Sequence, residues 1–278
     1  MTSENDHNQM LASTAYWIAA VRASESKRKD RLFNDPWAEA LASSEGSRWI
    51  QQRSPDSIIP IVLRTRFFDD FLKRIISDNT AVRQIVLVGA GMDTRAFRMD
   101  WPEQTHFYEL DQARILEYKN KILNSRSARP KCERITIATD LISDWEPMLK
   151  KAGFDQAQPS VWLLEGFLFY LSNQNLINLL KRVMNLAATG SYIGFDIINS
   201  ITLTSPMTKN WVDMQAESGA PWIGSMDDPN SFFASHFWHA TLTTLGAPEA
   251  NYDRWPYPVI PATLPGMPYL WFVTAEKQ

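Results

Sequence analysis

The sequence predicts an α/β chain built on a doubly wound, mostly parallel β-sheet. Short apolar runs rich in β-branched residues alternate with helical segments across 84–198, which is the grammar of βαβ units. The first four of these runs end in glycine or acid: Gly89 and Gly91, Glu109 and Asp111, Asp140, and Glu165. Open α/β sheets bind ligands beyond the carboxyl ends of their strands, where the strand order reverses.

The elements follow in order. The first ten or so residues are polar and read as disordered, and 13–28 has helical spacing. Asp35 and Pro36 suit the cap and first position of a helix over 36–42. Phe67, Phe68, Phe71, Leu72, Ile75 and Ile76 put one apolar face on a helix over 64–76. Strands are predicted at 84–88, 106–110, 134–138, 161–164 and 192–198, with helices at 111–123, 146–151 and 174–186. Ser172 suits the cap of the last helix and Gly190 lies just past its end. A final run at 268–274 reads as an antiparallel strand on the edge of the sheet. Residues 199–239 fit no βα unit and are rich in aromatics.

Composition narrows the function. Length favours one elaborated domain. The formal net charge of -3 offers no broad basic surface for nucleic acid, and the run Lys27, Arg28, Lys29 and Arg31 reads as a solvated helix face. The single cysteine, Cys132, cannot form an intrachain disulfide. No apolar run approaches the ~18 residues of a membrane span, and the N-terminus lacks the pattern of a secretory signal. The expected location is cytoplasmic, with no membrane partner.

At the first strand end, a dinucleotide fingerprint would carry a third glycine where Thr94 stands. Asp93 would lie against a pyrophosphate and repel it, whereas an adenosine ligand bearing a sulfonium has no phosphate. A carboxylate ending the second strand can accept from both hydroxyls of a ribose. Glu109 and Asp111 both qualify, with Asp111 preferred. Asp140 can hold an exocyclic amine while Leu141 packs on the base. These features favour S-adenosylmethionine (SAM) over NAD.

Residues 86–98 (VLVGAGMDTRAFR) and 108–111 (YELD) resemble the leucine carboxyl methyltransferase family, which includes bacterial SAM-dependent methyltransferases and natural-product O-methyltransferases. RTRFFDDFL at 64–72, TDL at 139–141, EGFLFYL at 165–171 and the spacing of 22–38 extend the resemblance over 16–198. It implies the class I, Rossmann-like methyltransferase fold: a mostly parallel seven-stranded sheet with an antiparallel C-terminal strand. With length favouring one domain and the aromatic stretch after the fifth strand suggesting a lid, the chain is expected to be a single domain, with a helical cap over 1–63, a SAM-binding core over 64–198, a lid over the acceptor at 199–245, and C-terminal strands over 246–278.

Roles follow from the same resemblance. Arg64 would grip the SAM carboxylate, an interaction suited to a guanidinium. Gly89 would line the methionine portion, with Gly91 and Asp93 beside it. Asp111 would hold the ribose, Asp140 and Leu141 the adenine, and Glu165 the amino group. Arg22 is a further basic candidate in the N-terminal segment. On the residues alone, Arg64 could equally be paired with Asp69 or Asp70.

The candidate catalytic groups are Tyr170, which would orient the nucleophile or serve as a core tyrosine, and His236. A carboxylate acceptor is already ionised at neutral pH, whereas a phenol or enol would need a base. His236 and His239 lack further ligands for zinc, and Asp227 with Asp228 reads as a polar loop, so no metal is expected. Trp211, Trp222, Phe232, Phe233 and Trp238 suggest a lid over an apolar or aromatic small molecule of the polyketide-like kind. The alternative acceptor is the C-terminal carboxylate of a partner protein.

Overall fold

A computed structural model describes residues 4–52, 57–79, 81–261 and 264–278. Ahead of the sheet lie α1 (Glu4–Ser26), α2 (Ala38–Leu41), α3 (Ser43–Gln52) and α4 (Ile59–Asp78). The alternating part runs β1 (Gln84–Val88), α5 (Arg95–Arg98), β2 (His106–Asp111), α6 (Ala113–Ser125), β3 (Glu133–Ala138), α7 (Glu146–Lys151) and β4 (Ser160–Leu164). It continues through α8 (Asn173–Leu186) and β5 (Tyr192–Ile198). Then follow α9 (Ser200–Thr204), α10 (Lys209–Glu217), α11 (Pro229–Ala234), β6 (Trp238–Thr244), α12 (Pro248–Asn251) and β7 (Leu270–Lys277).

Among the described residues the seven strands form one sheet in the order β3-β2-β1-β4-β5-β7-β6. β1 to β5 are parallel, and β7 runs antiparallel to both β5 and β6. This is the class I, Rossmann-like methyltransferase architecture. The strand order reverses between β1 and β4, so their carboxyl ends open a crevice.

β1 is buried throughout, and apolar from Ile85 to Val88, because helices cover both faces of the sheet. Ile85 and Leu87 pack on one side with Phe68, Phe71 and Leu72 of α4. Val86 and Val88 pack on the other with Trp162, Leu179 and Leu180. β4 follows the same alternation, with Val161 and Leu163 on the first side and Trp162 and Leu164 on the second. Each such fully buried side chain contributes about 1.5–3 kcal/mol of apolar burial.

Several expectations are corrected. α1 begins at Glu4, so Glu4–Met10 is helical rather than disordered. α2 starts at Ala38, and Asp35 does not cap it: Asp35 Oδ1 accepts from the Trp37 amide, while Oδ2 pairs with Arg22 at 2.9 Å. α4 begins at Ile59 and so crosses the boundary drawn between cap and core. β7 lies one strand in from the edge, because β6 occupies the edge. β6 falls within the stretch assigned to the lid, so the excursion after β5 ends before Trp238. Trp238 itself is core, edge-on to Phe233.

No helix among the described residues is long and apolar enough to cross a membrane. Asp228 caps α11 through the Ser231 amide, and Asp227 accepts from the amide and hydroxyl of Ser200, so both acids do turn work. No cluster of metal-ligating side chains occurs among the described residues.

Candidate active site

A cavity of about 320 Å³ opens at the carboxyl ends of β1, β2 and β4. Arg64, Gly89, Gly91, Asp93, Asp111, Asp140, Leu141 and Glu165 all line it.

Its floor begins at the turn after β1. Gly89 has φ +75°, and a Cβ there would lie 2.9 Å from the Phe167 ring. Only glycine meets both constraints cheaply, and its bare backbone leaves room for a ligand. Asp111 ends β2 with both carboxylate oxygens oriented by backbone amides: Gly91 donates to Oδ2 at 2.6 Å and Gln112 to Oδ1 at 2.7 Å. Burial raises the Asp111 pKa, and the two amides partly oppose that rise. The carboxylate retains lone pairs for the two hydroxyls of a ribose. Asp140 is exposed after β3 and takes the Ile142 amide at 3.1 Å. Leu141 beside it packs against the hydrophobic core. Glycine turn, oriented acid and base-side pair fit an adenosine without phosphates.

Glu109, the other ribose candidate, does not reach the cavity. It is fully buried between Lys119 of α6 at 2.8 Å and Arg134 of β3 at 2.7 Å. These two cations take the charge that would otherwise seek a ligand.

Beneath the cavity lies a buried ion network. Arg64 Nε meets Glu165 at 3.1 Å and Nη1 meets Asp196 at 2.9 Å, so its partners are neither Asp69 nor Asp70. Asp196 also accepts the Gly166 amide at 2.6 Å. Gly166 has φ +77°, and a Cβ there would sit 2.7 Å from Arg64 Nη2. Arg95 reaches Asp69, Asp93 and Glu165. Burial works against the charge on Asp93, and Arg95 together with Lys119, Arg22 and Arg98 more than offsets it, so its pKa falls below the ordinary value. Arg22 of α1 lines the cavity and donates to the Met92 carbonyl. Reading the chain alone did not single out Asp196 or Arg95 as site residues; both act through partners far away in sequence.

The other wall is aromatic. Phe169 and Trp222 have ring centroids 4.8 Å apart, and Trp211 and Trp222 5.1 Å apart. Trp17 and Ile18 of α1, Tyr170, and Gln215 of α10 also line the cavity. The Ile223 and Gly224 amides donate to the Phe169 carbonyl and tie the excursion after β5 to the end of β4.

His236 is not in the cavity lining. Its Nδ1 lies 2.8 Å from the Phe232 carbonyl in the last turn of α11. His106 and His239 are strand residues outside the lining, and the His7 side chain lies outside the described residues.

The sequence model described as leucine carboxyl methyltransferase matches residues 15–184. A candidate S-adenosyl-L-methionine-dependent methyltransferase of Streptomyces avermitilis is 39% identical over 270 residues, covering 91% of this chain and 93% of that protein. One of Streptomyces coelicolor is 39% identical over 273 residues, with the same coverage of 91% and 93%. Among solved structures, a candidate methyltransferase from Thermobifida fusca superposes with a TM-score of 0.58 at 16% identity, covering 94% of each chain. Magnesium protoporphyrin IX methyltransferase from Synechocystis, solved with bound SAH, does so with a TM-score of 0.52 at 11% identity, covering 86% of this chain and 97% of that one. The structural likenesses bear on the fold, and the sequence matches on descent: the chain belongs to the leucine carboxyl methyltransferase family.

Proposed function

We propose that the protein is a SAM-dependent methyltransferase that methylates an oxygen of a small, apolar or aromatic acceptor of the secondary-metabolite, polyketide-like kind. The observation carrying this reading is the continuity of one cavity. Its glycine turn and acids suit the donor, and they run directly into Phe169, Tyr170, Trp211 and Trp222. Aromatic walls favour flat apolar ligands.

SAM supplies a methyl already activated by a sulfonium. In the transfer the acceptor oxygen's lone pair forms the O–C bond as the C–S bond breaks, and that pair stays on a neutral thioether. The chain's work is to align the oxygen with the methyl and exclude water. No histidine lines the cavity among the described side chains. A carboxylate oxygen, ionised without a base at neutral pH, is the acceptor atom best suited to such a site. Tyr170, which lines the aromatic wall, would orient it. We assign the protein to the cytoplasm.

A second reading is favoured by the family description itself, which specifies a leucine carboxyl group. In it, the C-terminal carboxylate of a partner protein enters the same cavity.

One experiment separates the two. The protein is incubated with methyl-labelled SAM and either a metabolite extract or a protein lysate. Label in the small-molecule fraction supports the first reading. Label confined to protein, released as methanol by mild base, overturns it in favour of the second.

A further inference from the structure

Arg95 lies just under the cavity, 1% exposed, and is not itself part of the lining. Its guanidinium nevertheless joins two acids that are. Nη1 pairs with Asp93 in the turn after β1, and Nη2 lies 2.8 Å from Glu165 at the end of β4. The third edge, Nε, meets Asp69 at 2.7 Å. Asp69 is also held by Arg98, whose two terminal nitrogens reach its two oxygens at 2.6 and 2.7 Å. Because Arg98 already balances Asp69, the charge of Arg95 is left for Asp93 and Glu165.

The connected network then carries three cations, Arg64, Arg95 and Arg98, against four carboxylates, Asp69, Asp93, Glu165 and Asp196. Within this ion-paired set one negative charge is unbalanced, with Lys119 and Arg22 acting on Asp93 from outside it. A buried surplus carboxylate requires a cation or a proton. Among the described residues this network meets the cavity at Arg64, Asp93, Glu165 and Asp196, and of its acids there Asp93 and Glu165 are the more exposed, at 13% and 11% against 0% for Asp196. The methionine end of SAM carries the complementary surplus: an ammonium and a sulfonium against one carboxylate.

We propose that Arg95 is a positioning residue for the α-ammonium of the donor. It spans the switch point between β1 and β4 and fixes Asp93 and Glu165 as one anionic wall. A planar guanidinium can serve three carboxylates at once, and an ammonium cannot. The inference rests on donor binding in this cavity and is independent of the acceptor's identity.

The test is direct binding, by calorimetry, of three thioethers to Arg95→Lys and Arg95→Gln. S-adenosylhomocysteine carries the amine and the carboxylate. S-adenosyl-3-thiopropylamine keeps only the amine. 5′-Methylthioadenosine has neither. Losing a charge-assisted hydrogen-bond arrangement is worth about tenfold in affinity. Both amine-bearing ligands should therefore weaken about tenfold in Arg95→Lys and more in Arg95→Gln, with 5′-methylthioadenosine held within about twofold. Equal weakening of all three ligands would reduce Arg95 to a structural ion pair. Weakening of S-adenosylhomocysteine alone would move its role to the carboxylate, and unchanged binding would remove the role altogether; each result overturns the proposal. If Arg95→Gln lacks a native near-ultraviolet spectrum, Arg95→Lys, which keeps the charge, decides the question.

Discussion

The Asp111 carboxylate accepts the Gly91 amide at 2.6 Å and so fastens the end of β2 to the turn that leaves β1. With its other oxygen on the Gln112 amide, both oxygens face N–H donors. An asparagine would have to turn its own NH₂ toward one of those donors. Asp111→Asn should therefore lower SAM and S-adenosylhomocysteine affinity by at least about tenfold, with a stability loss of about 1–3 kcal/mol. Calorimetry and thermal melting measure the two effects.

The same residue predicts a pH dependence of binding. Burial raises the pKa of the Asp111 carboxyl, and a ribose bound there as proposed would need its ionised, accepting form. Donor affinity should fall on acidification at a higher pH than for an ordinary aspartate. A Kd-against-pH profile in which binding holds down to the ordinary carboxylate range would contradict this.

Asp69 predicts an acid limit to stability. Burial penalises its charge, but Arg98 and Arg95 bring its pKa down to about 2 from the ordinary 3.8. The folded value lies below the unfolded one, so its contribution is complete above about pH 4 and is lost as the pH falls towards 2. The shift corresponds to about 2 kcal/mol. Melting temperature should drop across that window. Asp69→Asn should flatten the dependence while costing about 3–5 kcal/mol at neutral pH, because two buried guanidiniums lose their shared partner.

Trp211 tests the acceptor wall. It meets Trp222 at 5.1 Å and lines the cavity from α10. Trp211→Ala should raise the acceptor KM about tenfold through lost aromatic burial while S-adenosylhomocysteine affinity stays unchanged. A donor-side loss of equal size would mean that the excursion after β5 supports the whole site.

Much of the fold was legible in the chain because β1, β4 and β5 are buried almost throughout and so read as short, nearly continuous apolar runs. β6 was not. Its sequence, WHATLTT, alternates in burial on the sheet's edge, and it sits in an aromatic stretch that resembled a lid. β7 was legible as a strand but not in its place, since nothing local says that Trp238–Thr244 would cover its outer side. Asp35 was read as a cap because its neighbours form a cap sequence; Arg22, thirteen residues earlier, claims it instead.

The sequence by itself determined which residues stand at the strand ends, because strand period, glycine turns and terminal acids are written in contiguous residues. Only the tertiary structure decided which acids face a ligand and which serve other charges. Glu109 and Asp111 differ locally by two positions, yet Lys119 and Arg134 claim the first and leave the second open. Arg64 likewise meets Glu165 and Asp196, 101 and 132 residues away. Coulombic partnership depends on distance in space, and the order β1-β4-β5 brings those groups together.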